Sequence, residues 1–285
     1  MKNGSTTETK AVNDKPNDLA YVRNAASVLY SEFKGKRVLI SGGTEGIGKA
    51  IAQRLGQGGA TLYLNYAHND NSAQQTLAEF RAQGFSVGLT KADISSPEAI
   101  DEMLAEIHRD GPLDLLVCNA GYQEKNQNLF ETSLSSFQRA LTINVLGNFQ
   151  LIQKVAREMV RIKRAGRMVI SSSTHGRLIF KGTLAYDVSK AALNHMMQVA
   201  ALELIEYGIR LNAVEIGWTH TPSERKWFTE EEQNRLSHTI PIGRSATSDE
   251  IAAIFEFLLS DQASYVVGAL YSADGGFMLR PNPET

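Results

Sequence analysis

Cysteine is nearly missing from this 285-residue chain: Cys118 stands alone. A single thiol can close no internal disulfide and cannot anchor a cysteine-based metal site. That fits a reducing, cytoplasmic setting. Long apolar runs are missing too, and none reaches the roughly 18 residues that a membrane-spanning helix needs. Neither charge is in excess, with 29 Lys+Arg against 31 Asp+Glu and a net charge of −2. Nothing global therefore points to a nucleic acid or a membrane as partner. Residues 1–17 are polar and lack the apolar stretch of a secretory signal. The expectation for residues 1–18 is a disordered tail. What is present is ordinary: 42% hydrophobic and 21% charged residues, which supply a real core and exclude disorder of the whole chain.

From Leu19 to Phe33 apolar residues recur at helical spacing (Leu19, Val22, Ala26, Leu29, Phe33), so residues 19–34 read as a helical extension. Beyond it strands and helices alternate. Strands are expected at about 37–41, 61–66, 86–92, 113–118, 168–172, 209–216 and 270–273. Helices are expected at about 47–57, 72–83, 97–108, 135–164, 186–207 and 249–259. Seven strands alternating with helices demand a parallel sheet covered on both faces, an α/β, doubly wound, Rossmann-type fold. No composition break divides it, so residues 35–280 read as one domain.

Between the first strand and the first helix, Ser41-Gly42-Gly43-Thr44-Glu45-Gly46-Ile47-Gly48 places glycines at 42, 46 and 48. Such a turn lets the backbone approach a pyrophosphate. The helix start adds free N–H groups and the positive end of its dipole. A plain glycine-rich turn is the alternative. Further on, Tyr186 and Lys190 are four residues apart on an expected helix, hence on one face. A tyrosine with a pKa near 10 is a poor base at neutral pH. A neighbouring Lys⁺ stabilises the phenolate. Tyr186 can then exchange a proton with a carbonyl or alcohol oxygen. Taken alone, the pair reads equally as an exposed helix pair. Ser171, Ser172 and Ser173 end the preceding strand, and a hydroxyl there can hold a substrate oxygen. Strand alternation puts Ser171 on the same face as Ser173 and sets Ser172 apart.

Taken in order, these motifs resemble the short-chain dehydrogenase/reductase family over roughly residues 35–277. Cys118-Asn119-Ala120-Gly121 is similar to the family's NAG motif, and Asn144 to its helix asparagine. Ser173, thirteen residues before Tyr186, is similar to its catalytic serine, and Tyr186-Asp187-Val188-Ser189-Lys190 to its YxxxK. The segment 212–221 and Asp274-Gly275-Gly276 resemble its later motifs. The resemblance implies an NAD(P)-dependent oxidoreductase acting on CH–OH groups. It implies catalytic roles for Asn144, Ser173, Tyr186 and Lys190, with Asn144 supporting a water chain from Lys190. It implies cofactor contacts from Gly42, Thr44, Glu45, Gly46, Ile47, Gly48, Tyr66, Asp93, Ile94, Asn119, Ala120, Gly121, Tyr186, Lys190, Gly217, Thr219 and Thr221. Asp93 is expected against the adenine, and it also reads as the cap of the helix that comes next. Two departures stand out. Ile216-Gly217 replaces the family's Pro-Gly, which is expected to loosen the adjoining loop, and Ser41 replaces Thr.

The second strand ends at Tyr66, and no carboxylate appears after it until Asp70. NAD-binding forms of this fold place an acid there, on the ribose 2′-OH. Its absence favours NADP(H), with NAD(H) kept open. Glu45 counts the other way, since it stands where NADP-dependent relatives carry a basic residue. The later motifs resemble sugar dehydrogenases of the glucose 1-dehydrogenase kind and also 3-oxoacyl-carrier-protein reductases. A sugar or polyol substrate is expected, with a 3-oxoacyl thioester as the alternative. A non-catalytic dinucleotide-sensing protein is the alternative of another class. Residues 218–245 fall where the family carries its substrate lid. Ser173, His175 and Trp227 are the candidate substrate contacts, a structural histidine and a lid-packing tryptophan being the plainer readings. No metal is expected. The helices from Ser135 and from Tyr186 carry apolar residues on more than one face, so a homotetramer is expected. A monomer covered by the helix 19–33 is the alternative.

Overall fold

The expected alternation builds a single seven-stranded parallel sheet. Its strands are β1 (Arg37–Ser41), β2 (Thr61–Tyr66), β3 (Val87–Lys91), β4 (Leu115–Cys118), β5 (Gly166–Ser173), β6 (Ile209–Ile216) and, last in the chain, β9 (Leu270–Ala273). Their spatial order is β3-β2-β1-β4-β5-β6-β9. The structure is a computed structural model and describes residues 32–124, 127–222 and 229–279. The expected tail, nearly all of the expected helix 19–33 and Trp227 lie outside the described residues. Glu32 and Phe33, the first of them, sit in a turn, with Phe33 buried.

Strand alternation divides the core. Leu39 faces the cluster formed with α3 (Pro97–Arg109), α5 (Asn148–Arg161) and α6 (Leu184–Leu204), whereas Val38 and Ile40 face α1 (Gly46–Gln57) and α8 (Ser248–Leu259). Helix α2 (Asp70–Ala82) buries Ala73, Thr76 and Phe80. β6 is buried almost throughout because both of its faces are covered. The chain reverses its winding between β1 and β4, whose ends Ser41 and Cys118 are in register. A doubly wound sheet opens a crevice at that point, beyond the carboxyl ends of its strands.

Two expectations are corrected and one segment gains detail. The single helix read over 135–164 is α4 (Leu134–Leu141), a π-helical segment (Thr142–Gly147) and α5, ending at Arg161. Hydrophobic spacing does not register one extra residue in a turn. The lid segment also has its own structure: β7 (Thr219–His220) pairs with β8 (Ala246–Thr247), and α7 (Glu230–Ser237) lies between them. Finally, Ile216 does not loosen the loop after it. It continues the ladder in register with Ser173 and Ala273, and the Gly217 N–H donates to the Ala273 carbonyl at 2.9 Å. Among the described residues no helix is long and apolar enough to cross a membrane.

Candidate active site

The carboxyl ends of the strands border one cleft of about 1400 Å³. Its floor is the glycine turn. Gly42 and Gly46 have φ of +62° and +52°, left-handed values that favour glycine. Gly48 is needed for space: a Cβ there would stand 2.1 Å from the Gly42 carbonyl oxygen and 2.6 Å from Asn119 Nδ2. Glu45 occupies the N-cap of α1 without capping it by its side chain. The first N–H groups of α1 therefore face the cleft with the helix dipole behind them.

Ser41 ties this turn to the next strand. Its Oγ accepts from the N–H groups of Asn119 and Ala120, both at 3.0 Å, and Asn119 Nδ2 donates to the Gly42 carbonyl at 3.0 Å. Thr221 closes from the opposite side, since a Cβ on Gly46 would lie 3.6 Å from its side chain. Thr219 is buried, its hydroxyl on the Gly217 carbonyl at 3.1 Å. Gly217 is required by Asp274, whose Cα would be 2.7 Å from an added Cβ.

At the far end of the cleft, β2 delivers Tyr66, whose Oη donates to Asp70 at 3.0 Å. Lys91 Nζ reaches the same carboxylate at 2.8 and 2.9 Å. Asn69 donates its amide to Glu45 across the cleft. Asp93 and Ile94 line the neighbouring wall. Asp93 is not the cap of α3. That cap is Ser96, accepting from the Ala99 N–H, while Asp93 accepts from the Ser95 N–H at 2.9 Å. Burial acts to raise the pKa of Asp93, but the Ser95 bond and the charges of His68 and Arg139 hold it below the ordinary carboxylate value.

Tyr186 and Lys190 reach the cleft from the first turns of α6. Lys190 Nζ lies 5.5 Å from the Tyr186 ring centre and donates to the Ser171 carbonyl at 2.9 Å. Burial brings its pKa down to about 8. The three serines separate as alternation requires. Ser171 Oγ donates to Asn119 Oδ1 at 2.9 Å, Ser172 Oγ turns away to Asn194, and Ser173 Oγ accepts only the His175 N–H at 3.3 Å among the described bonds. Ser173 thus keeps its hydroxyl hydrogen for another partner.

Asn144 sits in the π-helical segment. Its Oδ1 accepts from the Tyr122 N–H at 2.7 Å, and its Nδ2 donates to the Tyr122 carbonyl at 2.8 Å and to Ser189 Oγ at 2.9 Å. Only Gly121 separates it from the lysine: a Cβ on Gly121 would lie 3.5 Å from Asn144 Oδ1 and 3.8 Å from Lys190 Nζ. The segment itself is pressed against the wall at Gly147, where a Cβ would stand 2.6 Å from the Ile94 carbonyl.

Sequence reasoning missed Asp187, which pairs with His175, and Phe180, Lys181 and Thr183, which join the cleft rim. The one signal available was Asp187 inside the Tyr186–Lys190 motif, four residues after Thr183. It also missed Glu215, a fully buried carboxylate of β6. Arg177 Nε at 2.8 Å and Asn194 Nδ2 at 3.0 Å both donate to it, which pins the turn after Ser173 to α6.

A nicotinamide dinucleotide fits these residues. In the cradle Gly48 has no room for a side chain and Gly42 and Gly46 have left-handed backbone, the α1 N–H groups suit a pyrophosphate, and the cleft continues from Tyr66 and Asp93 to Tyr186. Comparison with known proteins agrees. A family model described as enoyl-(acyl carrier protein) reductase matches residues 42–278. Glucose 1-dehydrogenase 2 of Bacillus subtilis (strain 168) is 31% identical over 255 residues, 89% of this chain and 99% of that protein. L-Rhamnose 1-dehydrogenase (NAD(P)(+)) of Sphingomonas sp. (strain SKA58) is 32% identical, over 86% of this chain and 96% of that protein. A crystal structure of a short-chain type dehydrogenase/reductase from Mycobacterium marinum superposes with a TM-score of 0.83 at 29% identity, over 90% of this chain and all of that one. The chain is an NAD(P)-dependent dehydrogenase acting on CH–OH groups, and it belongs to the short-chain dehydrogenase/reductase family.

Proposed function

We propose that the chain oxidises a hydroxyl of a sugar or polyol, with Tyr186 as the acid–base residue and NADP(H) preferred over NAD(H). The observation that carries this reading is the polar wall facing Tyr186: Ser173 with an uncommitted hydroxyl hydrogen, and His175 two residues on. The similarity to glucose and rhamnose dehydrogenases supports it.

Oxidation removes a hydride from carbon and a proton from oxygen. The bound dinucleotide supplies the hydride acceptor. Residues Gly42, Thr44, Gly46, Ile47 and Gly48 hold its pyrophosphate end, Tyr66, Asp93 and Ile94 its adenosine, and Asn119, Ala120, Gly121, Gly217, Thr219 and Thr221 the remainder. Tyr186 takes the proton. Ser173 donates its hydroxyl hydrogen to the substrate oxygen and fixes it beside Tyr186. Lys190 keeps a positive charge next to the phenol and favours its ionised form. Asn144, held by Tyr122 and Ser189, keeps its place beside Lys190 and supports a water chain from it.

The cofactor preference is supported by the end of β2, which carries Tyr66 where a carboxylate would repel a 2′-phosphate. Asp70, the first acid after it, is already paired with Lys91. Glu45 opposes the preference, and its pairing with Asn69 leaves its charge in place. Accordingly Tyr66→Asp is expected to lower the NADP/NAD ratio of kcat/KM. An unchanged ratio would remove Tyr66 from the adenosine site. The chain is further proposed to act as a homotetramer.

The test is a turnover profile of the purified protein. Aldoses and polyols would be offered with NAD⁺ and NADP⁺, and acetoacetyl thioester with NADH and NADPH. Oxidation of the hydroxylated compounds is expected. Reduction of the thioester alone would replace this reading with a 3-oxoacyl reductase.

A further inference from the structure

His175 and Asp187 form a pair that the proton and hydride transfers do not use. His175 Nδ1 lies 2.5 Å from Asp187 Oδ1. The same oxygen accepts from Thr183 Oγ1 at 2.7 Å, and Oδ2 accepts from the Phe180 N–H at 3.1 Å. Asp187 is thus an acceptor for every neighbour it meets, and the hydrogen between it and the imidazole belongs to Nδ1. A neutral ring protonated on Nδ1 carries its lone pair on Nε2. Burial favours that neutral form, holding the imidazole pKa below its ordinary value against the pull of Asp187, and the nearby Lys190 charge adds to the effect. The ring is also held in place. It stacks on Phe180 at 4.0 Å between centres and meets the edge of Tyr186 at 5.1 Å. Nε2 has no hydrogen-bond partner among the described residues, on a ring that lines the cleft two residues after Ser173.

We propose that His175, its tautomer set by Asp187, is a specificity-determining residue whose Nε2 accepts a hydrogen bond from a hydroxyl next to the reacting carbon. An acceptor asks for a donor. An aldose or polyol supplies one on the neighbouring carbon, whereas a 3-oxoacyl thioester has only methylene groups beside its ketone. The inference rests on the sugar or polyol reading and narrows it to substrates with a vicinal hydroxyl. Sites built to bond a substrate hydroxyl discriminate against analogues that lack it, because the protein group is then left unpaired.

The experiment pairs D-glucose with 2-deoxy-D-glucose, and cyclohexane-1,2-diol with cyclohexanol, each with NAD⁺ and NADP⁺. The full chain is compared with His175→Leu and Asp187→Asn. The unaltered protein is expected to favour the hydroxylated member by about tenfold or more in kcat/KM. In His175→Leu the ratio should fall to within about threefold, the range left when one such bond is removed. Asp187→Asn can donate its amide to Nδ1, which moves the ring hydrogen to Nε2. That variant should improve 2-methoxycyclohexanol, an acceptor at the neighbouring position, relative to the diol. A merely structural role would lower both members together and leave the ratios unchanged, which overturns the proposal. Nitrogen NMR of isotope-labelled histidine reports the tautomer without turnover. A hydrogen found on Nε2 in the unaltered protein also overturns it. Turnover with unchanged ratios defeats this proposal alone, whereas no turnover of any hydroxylated probe defeats the sugar or polyol reading and this proposal with it.

Discussion

Burial bears heavily on Lys190. Its ammonium has one protein carbonyl, that of Ser171, and burial brings its pKa from 10.5 to about 8. At neutral pH it is still charged, at a cost to the fold. The folded protein therefore binds fewer protons than the unfolded chain between about pH 8 and 10.5, and in that window this group makes stability rise with pH. Lys190→Met should then stabilise the cofactor-free protein at pH 7 by about 1 kcal/mol or more. The advantage should shrink as the pH rises above 8. Paired denaturant titrations at pH 7 and pH 10 measure both, and a variant less stable at pH 7 would mean that water reaches the ammonium. The neighbouring tyrosine carries the proton in the proposed reaction. Tyr186→Phe should lose turnover by about 100-fold or more, the worth of a positioned acid–base group, while cofactor affinity stays within a few fold. Retention of a tenth of kcat would place the acid–base function elsewhere.

At the scale of elements, apolar periodicity made the sheet and its helices legible, because burial on both faces leaves strands such as Leu115–Cys118 wholly hydrophobic. The glycine turn was legible for a different reason. Gly42 and Gly46 carry left-handed backbone that favours glycine and Gly48 has no room for a Cβ, so the spacing itself is the signal. Gly48→Ala puts the demand to a test. Its Cβ would meet the Gly42 carbonyl at 2.1 Å, so α1 must move away from the turn and carry its N–H groups with it. Cofactor affinity should fall by about tenfold or more, the size of one or two lost charge-assisted bonds, with the thermal midpoint less affected. Unchanged affinity by calorimetry would show that the turn does not bind the pyrophosphate. What stayed hidden has physical reasons as well. The π-helical segment differs from α-helix by one residue in a turn, which a hydrophobic stripe absorbs without trace. Glu215 and Asp187 gain their roles only from partners distant in the chain or across a turn. Arg177 lies 38 residues before Glu215 and His175 lies 12 before Asp187, so neither pair leaves a local pattern.

At the scale of the whole molecule, the outer faces of two helical stretches bear on assembly. Both long helical stretches bury one face: Ile152, Val155 and Met159 in one and Leu193, Met197 and Ala201 in the other belong to the same core. Their opposite faces are not wholly polar. Leu184, Val188, Val199 and Leu202 lie along one helical stripe on α6, exposed by 37% to 77%, and Leu146 and Phe149 stand out on the other stretch at 51% and 41%. A helix apolar beyond one stripe is stable in water only when its second side is covered. A second copy of the chain offers the same two stripes, and a twofold axis would bring like faces together, so the proposed tetramer would assemble through dimers. Tyr265, Tyr271 and Leu279 extend apolar exposure to the β9 end, which supplies the second, independent contact that a dimer of dimers needs. The competing cover is the apolar spacing at Leu19, Val22, Ala26 and Leu29 of the same chain. Light scattering at low micromolar concentration separates the two, with about four times the 31.3 kDa chain mass expected. Phe149→Asp with Leu202→Asp should reduce that mass, because two buried carboxylates without partners oppose association strongly. A single-chain mass for the unaltered protein would refute the tetramer and assign the cover of one of these faces to the N-terminal segment instead.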